Sequence, residues 1–170
     1  MQTNKIFIKD NLKLNPKDSQ FNIGIDVKAI SVDIVGSKYQ SYYRSIDYIE
    51  YDTGISLDSL KKNNEEQIYT LVYPRSSISK KNLLLCNSVG LIDPNYRDTI
   101  KLRFKYVYQP CDLITYANND LLVNVNEEKI YSVGDKIGQL VFVKSLPVTF
   151  EYVPELIASD RSGGFGSTGE

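Results

Sequence analysis

Apolar residues recur at every second position along much of this chain. In TIKLRFKYVY, Ile100, Leu102, Phe104, Tyr106 and Tyr108 alternate with mostly basic partners, the pattern of a strand with one face buried and one face wet. VTFEYV repeats it, with Val148, Phe150 and Tyr152 on one side. The turn signals Asn63-Asn64, Asn118-Asn119-Asp120 and Val133-Gly134-Asp135 cut the chain into short pieces. Only SISKKNLLL, which begins inside the string PRSS, has the spacing and composition of a helix, and that helix would be short. The pattern therefore predicts an all-β fold, a barrel or sandwich, over residues 1–154. From Glu155 to Glu170 the only large apolar residues are Leu156, Ile157 and Phe165, among Gly163, Gly164, Gly166 and Gly169. That composition predicts a flexible C-terminal arm.

Composition narrows the chemistry. The 170 residues are 42% hydrophobic and 24% charged, which suits one domain with a core of its own. A formal charge of −1 supplies no basic field for nucleic acid or anionic membranes, so a free nucleotide is a better expectation than a polymer. MQTNKIFIKD has no apolar run of signal-peptide length, and no later segment is long and apolar enough to span a bilayer. A soluble, cytoplasmic protein is expected. Cys86 and Cys111 have no CxxC spacing, and the chain has no histidine. Serine triads, cysteine-histidine dyads and histidine-bearing zinc sites thus all lack a member.

Five strings follow one another in order: GIDV (Gly24 to Val27), PRSS (Pro74 to Ser77), NSVGLIDPNY (Asn87 to Tyr96), GDKIGQLVF (Gly134 to Phe142) and RSGGFGSTG (Arg161 to Gly169). In the third, Val89, Leu91 and Ile92 suit a strand and Pro94-Asn95 a turn, which sets the Asp93 carboxylate at a rigid strand end. An isolated Asp-Pro-Asn reads more readily as a turn cap, and it is the company of the other strings that favours the functional reading. Arg75 offers a forked cation beside the hydroxyls of Ser76 and Ser77. The last string joins a cation, a ring and hydroxyls to enough glycine for backbone N–H groups to curl around an anion. It is no P-loop, because it lacks a GK[ST] ending.

Taken together, the five strings resemble the motifs of the trimeric dUTPase family. The resemblance implies a distorted jelly-roll or β-barrel, and an enzyme that splits dUTP into dUMP and pyrophosphate. It implies that Asp93 activates the attacking water and bonds the sugar 3′-hydroxyl, and that Tyr96 packs flat on the deoxyribose and rejects a ribose. It further implies a β-hairpin that accepts uracil, Asn87 and neighbouring backbone groups reading the base, Gly90 allowing close approach and Ile92 lining the site. Arg75, Ser76 and Ser77 would hold the phosphates, Ser76 at the bridging oxygen of the leaving group. Gln139 would help hold the water, and Asp26 would brace the phosphate site. Arg161, Phe165, Gly166, Ser167 and Thr168 would form a lid in which Phe165 covers uracil, closing over a site shared within a homotrimer. Lys136 and Lys144 read as solvated strand charges.

Mg2+ is expected to ride on the three phosphates with its own water shell, without direct protein ligands. Two departures stand out. Asp98 and Thr99 replace the glycine and acid that the family carries after Tyr96, and Asn22 and Ile23 replace the usual Asp-Ala of the first motif. The stretches 37–50 and 106–131 look long for the family, either as lengthened strands or as a surface for a protein partner. Two alternative functions remain at this stage: a dCTP deaminase, which needs a glutamate that none of the five strings contains, and a regulatory nucleotide-binding protein.

Overall fold

A computed structural model describes residues 7–9, 23–58, 68–115, 119–146, 148–155 and 157. Among these residues it has twelve strands and no α-helix. They are β1 (Phe7–Lys9), β2 (Ile25–Lys28), β3 (Ser31–Tyr39), β4 (Tyr42–Asp52), β5 (Ser56–Asp58), β6 (Ile68–Pro74), β7 (Leu83–Leu85), β8 (Gly90–Ile92), β9 (Lys101–Tyr106), β10 (Leu113–Thr115), β11 (Leu121–Val123) and β12 (Lys136–Lys144). Their pairings are antiparallel.

Two sheets enclose the core. In the larger, the long β4 pairs with β3 along one edge and with β11 and β9 along the other, and β7 follows β9. The second runs β2-β12-β6-β8. Alternation on β9 fills one side of the core with Leu102, Phe104 and Tyr106 while Lys101, Arg103 and Lys105 face out. Val27, Val72, Ile137 and Leu140 of the opposite sheet meet them in one apolar cluster. The sheets come close at Gly138, where a Cβ would stand 2.7 Å from Leu102 Cδ2, so a larger residue would push the layers apart. Tyr51, Phe104 and Tyr131 make edge-on or tilted ring contacts at the centre. The buried Tyr51 hydroxyl donates to the Tyr131 carbonyl (3.1 Å) and accepts from the Tyr131 amide (3.2 Å). Burial pushes that phenol's pKa well up.

Three expectations change. The helix after PRSS is only a 3-10 turn, Ser76–Lys80, and the leucines beyond it form β7, with Leu83 and Leu85 buried and Leu84 exposed. Their period is two, and pairing with β9 decides the conformation over local propensity. Tyr108 lies beyond the end of β9, where its hydroxyl accepts from the Ile46 amide at 3.1 Å. VTFEYV forms no strand, and Val148, Phe150 and Tyr152 are 67%, 89% and 100% exposed, with no strand partner among the described residues.

The stretch 37–50 is the β3–β4 hairpin, turning at Gln40 with φ 55. The stretch 106–131 adds β10 and β11 to the sheet edge between two 3-10 turns. Buried Asp112 anchors the first of these turns by accepting from Tyr106 Oη (2.9 Å) and the Gln109 amide (2.8 Å). Among the described residues no helix is long and apolar enough to cross a membrane.

Candidate active site

A short strand and a proline turn build the first half of the site. β8 is only three residues long, held against β6 with Gly90 opposite Val72 and Ile92 opposite Thr70. Gly90 is buried so tightly that a Cβ would meet Val72 Cβ at 3.1 Å and Asn87 Nδ2 at 3.5 Å, which fits the close backbone approach expected there. Asp93, Pro94, Asn95 and Tyr96 then turn, and the Tyr96 amide donates to the Asp93 carbonyl at 3.1 Å. Arg97 secures the turn, its Nη1 donating to the carbonyls of Pro94 (2.8 Å) and Tyr96 (3.2 Å) and reaching Leu57 O at 3.4 Å.

A cleft of about 390 Å3 opens beside this turn. Asn87, Gly90, Ile92, Asp93 and Tyr96 line it, with Val72, Leu85 and Leu102 as apolar wall and Lys101 and Arg103 at the rim. Five of the sequence-predicted residues thus share one concavity of ligand size. Glu50 ties the rim cations together, 3.2 Å from Lys101 Nζ and 2.7 Å from Arg103 Nε. Although burial alone would raise the Glu50 pKa, these hydrogen bonds hold it below its ordinary value.

The second half lies on the sheet β2-β12-β6. Register puts Gln139 between Asp26 and Tyr73. Asp26 collects three donor groups there. Lys136 Nζ donates to Oδ2 at 2.8 Å, and Gln139 Nε2 donates to Oδ1 at 3.1 Å. Arg75 Nε stands 2.8 Å from Oδ1, an ion pair by distance, although its N–H is not aimed at the oxygen and makes no hydrogen bond. A buried donor without an acceptor is costly, and an anion bound here would supply one. Ser76 and Ser77 start the 3-10 turn immediately after Arg75. Lys136 is exposed, as the sequence reading had it, but it is also a partner of Asp26, which sequence reasoning missed because no spacing rule could reveal a contact across 110 positions.

Burial by itself would raise the Asp26 pKa, but the hydrogen bonds from Lys136 and Gln139 and the charge of Arg75 outweigh it, so the value lies below the ordinary 3.8. A depressed carboxylate stabilises the fold above its unfolded pKa, and that contribution disappears as pH falls through the folded value. Thermal midpoints of the protein and of Asp26→Asn should accordingly differ at neutral pH, by no more than about 1 kcal/mol for so accessible a cluster. The difference should close below pH 3.8. A gap that persists unchanged into strong acid would show that packing, not charge, fixes Asp26.

The two halves do not meet within one chain. Ile92 is opposite Thr70, so Asp93 adjoins the start of β6, whereas Arg75 follows its end. The six residue steps from Tyr69 to Arg75 span about 20 Å of extended chain. Asp93 is also exposed. Arg161, Phe165, Gly166, Ser167 and Thr168 lie outside the described residues.

A family profile described as dUTPase matches residues 39–169. The deoxyuridine 5′-triphosphate nucleotidohydrolase of Finegoldia magna is 32% identical over 168 residues, 97% of each chain. The protein of that name from Clostridium acetobutylicum is 36% identical over 119 residues, 69% of this chain and 67% of its own. Other relatives match over less of their length, 65% for Wigglesworthia glossinidia brevipalpis and 59% for Legionella pneumophila. In fold, the chain is similar to a dUTPase of Staphylococcus bacteriophage 80alpha solved with dUpNHpp, at a TM-score of 0.66 and 18% identity over 98% of this chain and 99% of the other. The dUTPase of phage phi11 of S. aureus, described with a structural Mg(II) ion, gives 0.59 and 16%, over 89% and 98%.

Proposed function

This chain belongs to the dUTPase family, and from that premise we propose that it hydrolyses dUTP to dUMP and pyrophosphate. The observation that carries the reading is the cleft that joins Asn87, Gly90, Ile92, Asp93 and Tyr96 at a proline-fixed turn. A nucleoside seated there has a ring beside its sugar and a carboxylate at its 5′ side. With no histidine in the chain, Asp93 is the base that takes a proton from water as it attacks the α-phosphorus in line. Tyr96 closes off the sugar face, so that a 2′-hydroxyl has no room.

The triphosphate falls to the second group of residues. Arg75 supplies a fork for phosphate oxygens, and Ser76 and Ser77 donate beside it, Ser76 where charge grows on the leaving pyrophosphate. Gln139 reaches the phosphates and the attacking water. Mg2+, bound to the triphosphate, would supply charge neutralisation. Both oxygens of Asp26 are engaged by protein groups, which fits a metal held by phosphates and water with Asp26 as a brace.

Asp93 and Arg75 lie at opposite ends of β6, whose backbone spans about 20 Å, too far apart for one α-phosphate to stay beside the first while the second holds it. The separation supports a site shared between chains, and the family resemblance makes that unit a homotrimer, with Asp93 and Tyr96 from one chain, Arg75, Ser76 and Gln139 from a second, and the arm bearing Arg161, Phe165, Gly166, Ser167 and Thr168 closing over both. Its place of work is the cytoplasm, on the free nucleotide pool.

Pyrophosphate release measured with dUTP, dCTP, dTTP and UTP tests the reading. Turnover is expected with dUTP, and at least about a hundredfold less with each of the others, because a buried donor or acceptor is left unpaired or a clash arises. Ammonia from dCTP would instead establish a deaminase, a reading disfavoured by a cleft with no glutamate in its lining. Binding without any turnover would leave a regulatory protein.

A further inference from the structure

We propose that Asp52 and Thr99 are positioning residues for Tyr96, and through it for the rejection of ribose, an inference that rests on the dUTP reading above. The residues after Tyr96 are where this chain parts from the family pattern, with Asp98-Thr99 in place of a glycine and an acid. A continuous run of hydrogen bonds fills that place. The Tyr96 hydroxyl donates to the Thr99 carbonyl at 3.2 Å. The Thr99 hydroxyl donates to Asp52 Oδ2 at 2.9 Å. The other oxygen of that carboxylate, Oδ1, accepts from the Gly54 amide at 2.7 Å. Thr99 is fixed from its other side as well, its amide donating to Asp98 Oδ1 at 2.7 Å.

The anchor of this run is rigid. Asp52 ends β4, the strand at the middle of the larger sheet. Next to it, fully buried Thr53 donates through Oγ1 to the Ile100 carbonyl at 2.7 Å, and the Ile100 amide donates to Ile55 O at 2.8 Å. Tyr96, by contrast, is 39% exposed and sits outside any strand, so its ring has little packing to orient it. The bond at its hydroxyl end ties the ring to the Thr99 backbone, which the Thr99 hydroxyl in turn fastens to Asp52 at the end of β4. Arg97, the other clamp nearby, holds turn carbonyls and not the ring. A ring that must exclude one hydroxyl by contact has to be held to within a fraction of an ångström, and this latch is what holds it.

The test is the ratio of kcat/KM for dUTP to that for UTP in the full-length protein, alongside thermal midpoints. Thr99→Val keeps the shape but removes the hydroxyl, and should lower the ratio about tenfold, the size of one charge-assisted hydrogen bond. Thr99→Ser should restore it to within about threefold, since the donor returns. Tyr96→Phe, which cuts the latch at its other end, should lower the ratio similarly. The double variant should be no worse than the worse single one, because both changes break the same run. An unchanged ratio in Thr99→Val, or fully additive losses, would overturn the latch. Should Thr99→Val fail to fold, Tyr96→Phe alone decides, since an unaltered ratio there leaves the hydroxyl without a role. A parent protein that turns over no dUTP overturns the underlying reading instead, and so cannot be confused with failure of the latch.

Discussion

Asp93→Asn is expected to lower kcat for dUTP about a thousandfold, the usual scale for loss of a positioned general base. Affinity for a non-hydrolysable dUTP analogue should stay within about threefold, because an amide fills the same volume and still accepts one hydrogen bond. Stability should change by less than about 0.5 kcal/mol. The side chain is exposed, and the turn it begins is closed by its backbone carbonyl rather than by its carboxylate. The three readouts together separate a chemical role from a structural one. A loss of less than about tenfold in kcat would mean that another group takes the proton, and a collapse of binding with kcat intact would mean that Asp93 only holds the sugar.

The second large effect is a recovery. Asp93→Asn and Arg75→Gln chains, each nearly inactive alone, should regain about a quarter of parental activity when unfolded together in equal amounts and refolded. A site that takes its carboxylate from one chain and its guanidinium from another is complete in one of the four equally frequent pairings. The expectation comes directly from register: Ile92 stands opposite Thr70 and Pro74 opposite Gly138, so the two groups flank β6 at its two ends. Mixing the folded variants without unfolding supplies the control, since chains held in the proposed assembly would not exchange. Absence of any recovery after co-refolding would place both groups in one chain's site and overturn the shared arrangement.

Much of the architecture was legible because period-two patterning is a local signal. Ile100, Leu102, Phe104 and Tyr106 were assigned inward correctly, and the third string delivered a strand, a turn and a cleft in the expected order. The failures share a cause, which is that pairing partners are not written locally. SISKKNLLL has helical spacing, yet β9 lies where Leu83–Leu85 can pair with it. VTFEYV has an excellent strand pattern and no strand partner among the described residues. Lys136 and Asp26, and likewise Thr99 and Asp52, find each other only after the sheets have formed. The substitution of Asp98-Thr99 for the family's residues was visible as a departure, but its compensation by Asp52 was not.

Asp26 holds Arg75 and Lys136 at 2.8 Å each. Long cationic side chains left to themselves sample many rotamers, and ordering each one on binding costs about 1 kcal/mol. Here the carboxylate serves as a placeholder anion. On the proposed function, an arriving triphosphate would find its counter-charges already placed beside it, so that little side-chain ordering would be left to binding at this end of the site.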